Sequence, residues 1–434
     1  MTTALVVSGR FINLWEHATL QRLGMQVEAL ARVVDRIDCL FLTQVASCFT
    51  PENLRAYEDH LRRLWTAKLT LRFAHVRPEP WMTRWQRYGP GIFDFYAQQL
   101  AVPIGDVRAY RDLTNEATVA AARAALRAAP DLILAHRLEI MGLFMKLSRE
   151  VGRMPVFFDL DDIDHISLSR RLLRAPEGPW ERLRLMQIPR LLLAEIQAIR
   201  RSRLTFVCSD QDCRYLRRIA CSRRVEVVVN STRLPASVCA GSPEPVVLFV
   251  GNLGYQANTL AADVLVRDIW PKVRTRVPHA RLIVVGRHPE LLRSYPSTDP
   301  NVTFTGFIDN LDELYQEARV FCCPILNGAG TRVKIIEAAA HARAILSTTL
   351  GAEGLDFVNG TEILLRDGVV PLADECVRLL QDPAAAGRIG IAAREKARSI
   401  YEHSTVVAHL ERLFREGLRP VRASRPAGGA AQKT

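Results

Sequence analysis

Short apolar runs recur along the chain with helix-length stretches between them. ALVVS (4–8), IDCLFL (37–42), LTLRFAHV (69–76), DLILAH (131–136), PVFFDL (155–160), LTFVCS (204–209) and VEVVVN (225–230) are rich in β-branched and aliphatic residues. Runs of this length read as strands, and their alternation with helical stretches predicts βαβ units forming a parallel sheet covered on both faces.

Near residue 230 the rhythm breaks. STRLPASVCAGSPEP (231–245) has no periodicity and is rich in Ser, Pro, Ala and Gly, the composition of an interdomain linker. A second series follows: VVLFVGNL (246–253), ARLIVVGR (280–287), VTFTGF (302–307), VFCCPI (320–325), AILST (344–348) and EILLR (362–366). The pattern predicts an α/β chain with an N-terminal domain over 1–230, a linker over 231–245, a second domain over 246–395, a helical segment over 396–421 returning to the first domain, and a disordered tail over 422–434.

Composition adds few constraints. With 434 residues, 48% hydrophobic and 24% charged, the chain is an ordinary globular protein of two domains. Nine cysteines without a C-x-x-C pair or metal spacing read as reduced thiols. Neither a signal peptide nor a spanning run is expected, which predicts a cytoplasmic location.

Charge changes the picture more. Lys and Arg total 58 against 46 Asp and Glu, a net +12, which favours an anionic partner. No nucleic-acid motif accompanies it, so a phosphorylated small molecule or an anionic membrane surface is the expectation. Many arginines fall in the helical pattern of 167–204, with Arg170, Arg171 and Arg174 on a basic face and Trp180, Leu183, Met186 and Leu193 as apolar contacts. That face is either simply solvated or rests on a bilayer.

In open parallel sheets ligands sit beyond the carboxyl ends of the strands. One such end leads into GAGTRVKIIEAAAH (328–341), where glycines open a helix carrying Arg332 and Lys334 in its first turn. Glycines admit close backbone approach, and a helix N-terminus favours anions; cations there are disfavoured unless a phosphate neutralises them. Glu337 is placed to accept hydrogen bonds from ribose hydroxyls. Phosphate and sugar on one unit point to a nucleotide; a solvated Arg/Lys pair beside an ordinary loop is the competing account.

The segment GAGTRVKIIEAAAHARAILSTTLGAEGL (328–355) resembles the signature of retaining GT-B glycosyltransferases of family 4, in particular the bacterial exopolysaccharide-type sugar transferases with G-G-G-T-R-x-K-x-x-E-A. The likeness extends through 247–273, 280–289 and 302–324, and more loosely through 130–142, 157–166 and 205–218. It implies two Rossmann-like domains whose parallel sheets face a central cleft, and transfer of a sugar from a nucleotide-sugar to a glycan or lipid-linked acceptor at the cytoplasmic membrane face.

The resemblance places Arg332 and Lys334 on the donor diphosphate, Glu337 on the ribose, and His136 against the donor sugar, with His136, Arg332 and Lys334 as the catalytic group. Gly251, Asn252, Gly286, Asn327, Gly328, Ala329, Gly330 and Thr331 complete the donor site, and Gly24 and Asp162 lie on the acceptor side. The chain departs from the family in two places. Ala329 stands where the first glutamate of the E-x7-E pattern belongs, and Asn252 and Asn258 stand where many members carry an arginine and a lysine. The acidic run DLDDIDH (159–165) has the density of a Mg²⁺ site, but capping and acceptor-side polarity are its expected uses, and no metal or other cofactor is expected. A GT-B nucleotide-sugar epimerase and a non-catalytic nucleotide-sugar-binding protein are the alternatives.

Overall fold

The computed structural model describes residues 1–9, 17–43, 51–75, 116–174, 182, 185–238, 242–328 and 330–419. Every apolar run noted above contributes a strand. The first sheet holds β1 (Thr3–Ser8), β2 (Arg36–Thr43), β3 (Leu69–His75), β4 (Leu132–His136), β5 (Val156–Asp161), β6 (Leu204–Val207) and β7 (Val225–Val227). The second holds β8 (Val246–Val250), β9 (Arg281–Val285), β10 (Val302–Gly306), β11 (Val320–Cys323), β12 (Ala344–Ser347) and β13 (Leu364–Leu365).

All pairings are parallel, in the orders β3-β2-β1-β4-β5-β6-β7 and β10-β9-β8-β11-β12-β13. Each order reverses direction once, between β1 and β4 and between β8 and β11, and such reversals open a crevice at the strand ends. The interior strands β4 and β11 are buried at every residue, as expected for a sheet covered on both faces. Two runs yield much shorter strands than their apolar length suggests. β13 is an edge strand paired only with β12, and Asn359 Oδ1 takes the Leu365 amide at 2.9 Å. β8 stops at Val250 because Gly251 and Asn252 turn away as a loop.

The helices that matter for the site are α1 (His17–Ala31), α2 (Pro51–Leu64), α3 (Glu116–Arg127), α4 (Leu138–Lys146), α5 (Asp164–Arg174), α6 (Ile188–Arg201), α7 (Asp210–Ala220), α8 (Gln256–Val264), α9 (Val333–Ala340), α10 (Val369–Gln381), α11 (Pro383–Lys396) and α12 (His403–Leu418). The pattern over 167–204 resolves into the separate helices α5 and α6, the second opening with proline in its first turn, where the missing N–H costs nothing.

α12 belongs to the core of the first domain. Val407, Leu410 and Phe414 are fully buried there, and the Phe414 ring meets Phe157 edge-on at 5.0 Å. Burying a phenylalanine contributes about 1.5–3 kcal/mol, so this helix is held firmly across the junction. The chain therefore crosses between domains twice, and the crossings are tied: the Thr232 amide donates to Tyr401 O and the His403 amide to Thr232 O, each at 2.9 Å. Ser231 and Thr232, read as linker, are buried by this pairing. The tail 422–434 and Val76 lie outside the described residues.

Candidate functional site

At the β8–β11 reversal, two glycines let strand ends approach closely. A Cβ on Gly286 would fall 1.9 Å from the Gly251 carbonyl oxygen, and one on Gly251 would fall 2.6 Å from Lys334 Nζ. Lys334 thus reaches from α9 back over the end of β8. Its ammonium donates to Asn258 Oδ1 at 2.7 Å and lies 4.8 Å above the Phe249 ring. Burial pushes it down to about 8, with the charge of Arg332 adding to the effect. The loop that lacks basic residues of its own therefore receives this ammonium, and Asn258 positions it. Asn252 instead shapes its own turn, its Oδ1 accepting from the Gly254 amide at 3.0 Å.

α9 forms because Ile335, Ile336 and Ala339 bury one face against the second sheet. Before it, Gly328 and Gly330 adopt φ values of 103° and 78°, which an L side chain resists. Arg332 caps this loop from within: Nη1 donates to Gly330 O at 2.6 Å and Nη2 to Asn327 O at 3.4 Å. Asn327 is buried, and among the described residues its Oδ1 has no hydrogen-bond partner. Glu337 faces the first domain, accepting from Gln21 Nε2 of α1 at 3.4 Å. Ala329 lies outside the described residues.

At the other reversal, β1 and β4 end in Ser8 and His136, paired in register. His136 Nδ1 and Ser8 Oγ are 3.0 Å apart, while Nε2 has no hydrogen-bond partner among the described residues and stands 3.7 Å from Asp159 Oδ2. Burial pushes the ring down to about 4 against the pull of Asp159. It is neutral at physiological pH and 1% exposed, so it contributes no positive charge to the crevice.

The sequence reading overlooked Arg22, two residues before the middle of α1. It is fully buried, with Nη2 on Asp159 Oδ1 at 2.6 Å and Nη1 on Val228 O at 2.9 Å and Asn230 Oδ1 at 3.2 Å. The only signal in the sequence was a lone arginine among apolar positions.

The acidic run is drawn to arginines and to the glycine loop, Asp159 and Asp161 both lying beside Arg22. Asp159 serves Arg22, Asp161 pairs with Arg137 Nη2 at 2.5 Å, and Asp162 lies against Gly330, where a Cβ would meet its Oδ1 at 1.7 Å. Burial beside Glu139 and Glu195 pushes Asp164 up to about 8. Among the described residues no group of three metal-ligating side chains could hold an ion. Gly24, expected on the acceptor side, packs against Trp65: a Cβ there would fall 2.5 Å from the indole nitrogen.

Several contacts join the glycine loop to the first domain. Asn230 Nδ2 donates to Thr331 Oγ1 at 2.8 Å, and Arg170 donates to Gly328 O at 3.3 Å and to Glu353 Oε1 at 2.8 Å. Arg170 is therefore engaged across the domain junction and is not part of a free basic face. Of the apolar positions on that stretch, Met186 and Leu193 are exposed, while Trp180 and Leu183 lie outside the described residues. Among the described residues no helix is long and apolar enough to cross a membrane.

Solved structures share this architecture across nearly the whole chain. Sucrose-phosphate synthase from Thermosynechococcus elongatus superposes with a TM-score of 0.70 at 18% identity, over 96% of this chain and 99% of its own. Anabaena HepE in complex with UDP-glucose gives 0.62 at 13%, over 96% and 100%. The pneumococcal O-GlcNAc transferase GtfA in complex with UDP and GlcNAc gives 0.62 at 9%, over 96% and 99%. At these identities the likeness establishes the fold, which is GT-B. A Klebsiella pneumoniae relative described as an uncharacterized 44.6 kDa protein in the cps region is 26% identical over 139 residues, a match spanning 30% of this chain and 36% of that protein. Within this GT-B chain, residues 244–382, which include the crevice formed by Gly251, Gly286, Arg332 and Lys334, match the family described as Glycosyl transferases group 1.

Proposed function

We propose that this protein is a glycosyltransferase that moves a sugar from a nucleotide-sugar to a glycan or lipid-linked acceptor with retention of configuration. The observation that carries the reading is the Lys334 ammonium held over Gly251, at a strand reversal inside the group 1 domain. Gly251, Gly286 and the loop Asn327–Thr331 leave room for a diphosphate; Lys334 and Arg332 neutralise it, and Glu337 takes the ribose. The named neighbours in complex with UDP or UDP-glucose lend support to this donor class.

In this reading the bond from the sugar C1 to the diphosphate breaks and its electron pair leaves on the diphosphate. The acceptor oxygen bonds to C1 from the same face, and its proton passes to the departing diphosphate oxygen. Lys334, Arg332 and the α9 N-terminus stabilise charge that grows toward the transition state, which is the kind of interaction that accelerates a reaction. These cations do the work of a divalent metal, and the reaction is proposed to need none. His136, neutral and buried, would line the sugar end of the crevice. A role in surface polysaccharide synthesis fits the cps-region relative, and the net +12 fits peripheral attachment to an anionic membrane through residues other than Arg170.

A donor panel tests the proposal. Slow release of free sugar from one nucleotide-sugar, accelerated by an acceptor, is expected. Interconversion of two nucleotide-sugars would make the protein an epimerase, and binding without turnover would make it a non-catalytic binder.

A further inference from the structure

A cavity of about 210 Å³ lies on the first-domain side of the glycine loop, bordered by Ile163, Ile166, Tyr215, Asp212, Gly330 and Glu353. Gly330 belongs to the proposed donor site, so whatever fills the cavity sits beside the donor. Its volume falls below the ~300–1,000 Å³ of drug-sized ligand sites, which suits one sugar residue.

One wall is anchored by a chain of three side chains from three helices. Glu195, on the buried face of α6, is fully enclosed and accepts from the His165 amide at 3.2 Å and from His165 Nδ1. A buried carboxylate is costly unless hydrogen-bonded, and these two donors meet that need. His165 Nε2 is 2.7 Å from the Tyr215 hydroxyl. The Glu195 contacts select one polarity for the chain. Glu195 Oε1 takes the His165 amide and Oε2 faces Nδ1, which places a ring proton on Nδ1; in that tautomer Nε2 accepts and the Tyr215 hydroxyl donates to it. Burial near Glu195 holds the phenol above its usual range, so that hydroxyl keeps its proton. With its hydrogen committed, the Tyr215 oxygen has only lone pairs left to offer a ligand. Gln211, Asp212 and the Arg170–Glu353 pair add polar groups of both kinds to the same lining, while Ile163 and Ile166 supply apolar surface.

We propose that this cavity is the acceptor-sugar subsite, and that Tyr215, oriented by His165 and Glu195, accepts a hydrogen bond from one hydroxyl of a neutral sugar ring. The assignment rests on the glycosyltransferase reading above. Tyr215 touches the sugar; His165 and Glu195 are positioning residues that act through it. The apolar pair takes the C–H face of the ring, and the polar groups of the lining take its hydroxyls.

The test uses the full chain, the nucleotide-sugar that is turned over in the donor panel, and methyl glycosides of glucose, galactose, mannose and N-acetylglucosamine with their monodeoxy analogues. At least one glycoside should accelerate donor turnover. Tyr215→Phe should raise the KM for that glycoside by about 3–10-fold, the worth of one hydrogen bond, with a smaller change in kcat and an unchanged KM for the donor. Glu195→Gln, which lets the imidazole adopt the other tautomer, should shift the same KM; a merely structural glutamate would not move it while thermal stability holds. One deoxy position should cost affinity in the wild type and not in Tyr215→Phe. No acceleration by any glycoside, or an unchanged acceptor KM in Tyr215→Phe, overturns the subsite while leaving the donor reading intact. Absence of donor binding and turnover in the wild type overturns the glycosyltransferase reading and the subsite with it.

Discussion

Lys334 Nζ is 2.7 Å from Asn258 Oδ1, so the ammonium at the proposed diphosphate site is held by a neutral carboxamide and keeps its full charge for a ligand. Burial brings it to about 8, which places its titration near the upper edge of the physiological range. Nucleoside diphosphate affinity should be steady below pH 8 and should fall above it, approaching about tenfold per pH unit. Calorimetric titration at pH 7 and pH 9 checks this, and Lys334→Met should flatten the profile. The ligand-free protein should behave in the opposite sense. The folded lysine releases its proton near 8 and the unfolded one near 10.5, so between these values the unfolded chain binds more protons and stability rises with pH.

Gly286→Ala should damage the crevice without touching a charge. The added Cβ would meet the Gly251 carbonyl, a backbone atom that cannot rotate away. Overpacking of this kind costs about 1–3 kcal/mol. Thermal unfolding should register the loss, and an unchanged Tm would mean the strand ends are free to separate.

Arg22→Met should destabilise the first domain severely, because it leaves Asp159 buried without its guanidinium. Breaking one partner of a buried pair costs about 3–5 kcal/mol. Urea denaturation of the single variant and of Arg22→Met/Asp159→Asn separates lost charge pairing from lost packing; the double variant should recover much of the loss.

The alternation of apolar runs was sufficient to locate every strand of both sheets, because burial on both faces demands continuous apolar residues. The glycine loop was equally readable, since Gly328 and Gly330 adopt left-handed conformations and their type is constrained locally. What escaped were pairings between residues far apart. Arg22 meets Asp159 and His165 meets Glu195 and Tyr215 only once the first sheet is assembled, and Arg170 meets Glu353 only once both sheets are. A periodicity argument sees one helix face at a time, so it assigned Arg170 to solvent or lipid. The close contact of Gly24 was hidden for the same reason, its partner Trp65 lying beyond the end of α2. The return of α12 was visible as a helix, but the edge-on contacts of its Phe414 with Phe157 and Phe206 were not.

Glu337→Gln should separate ribose recognition from phosphate recognition. If the carboxylate accepts from ribose hydroxyls, nucleoside diphosphate affinity should fall about tenfold, the scale of a charge-assisted hydrogen bond. Inorganic pyrophosphate affinity should be unchanged. Equal loss for both ligands would move Glu337 to the phosphate loop.

The most direct measurement is nucleoside diphosphate binding to the wild type and to Arg332→Ala/Lys334→Ala, by titration calorimetry at pH 7. Each charge-assisted contact is worth about 1.5–3 kcal/mol, so the account predicts a loss of at least about a hundredfold with folding preserved. Affinity within a few-fold of the wild type would contradict it, because the diphosphate would then be held somewhere other than the crevice over Gly251.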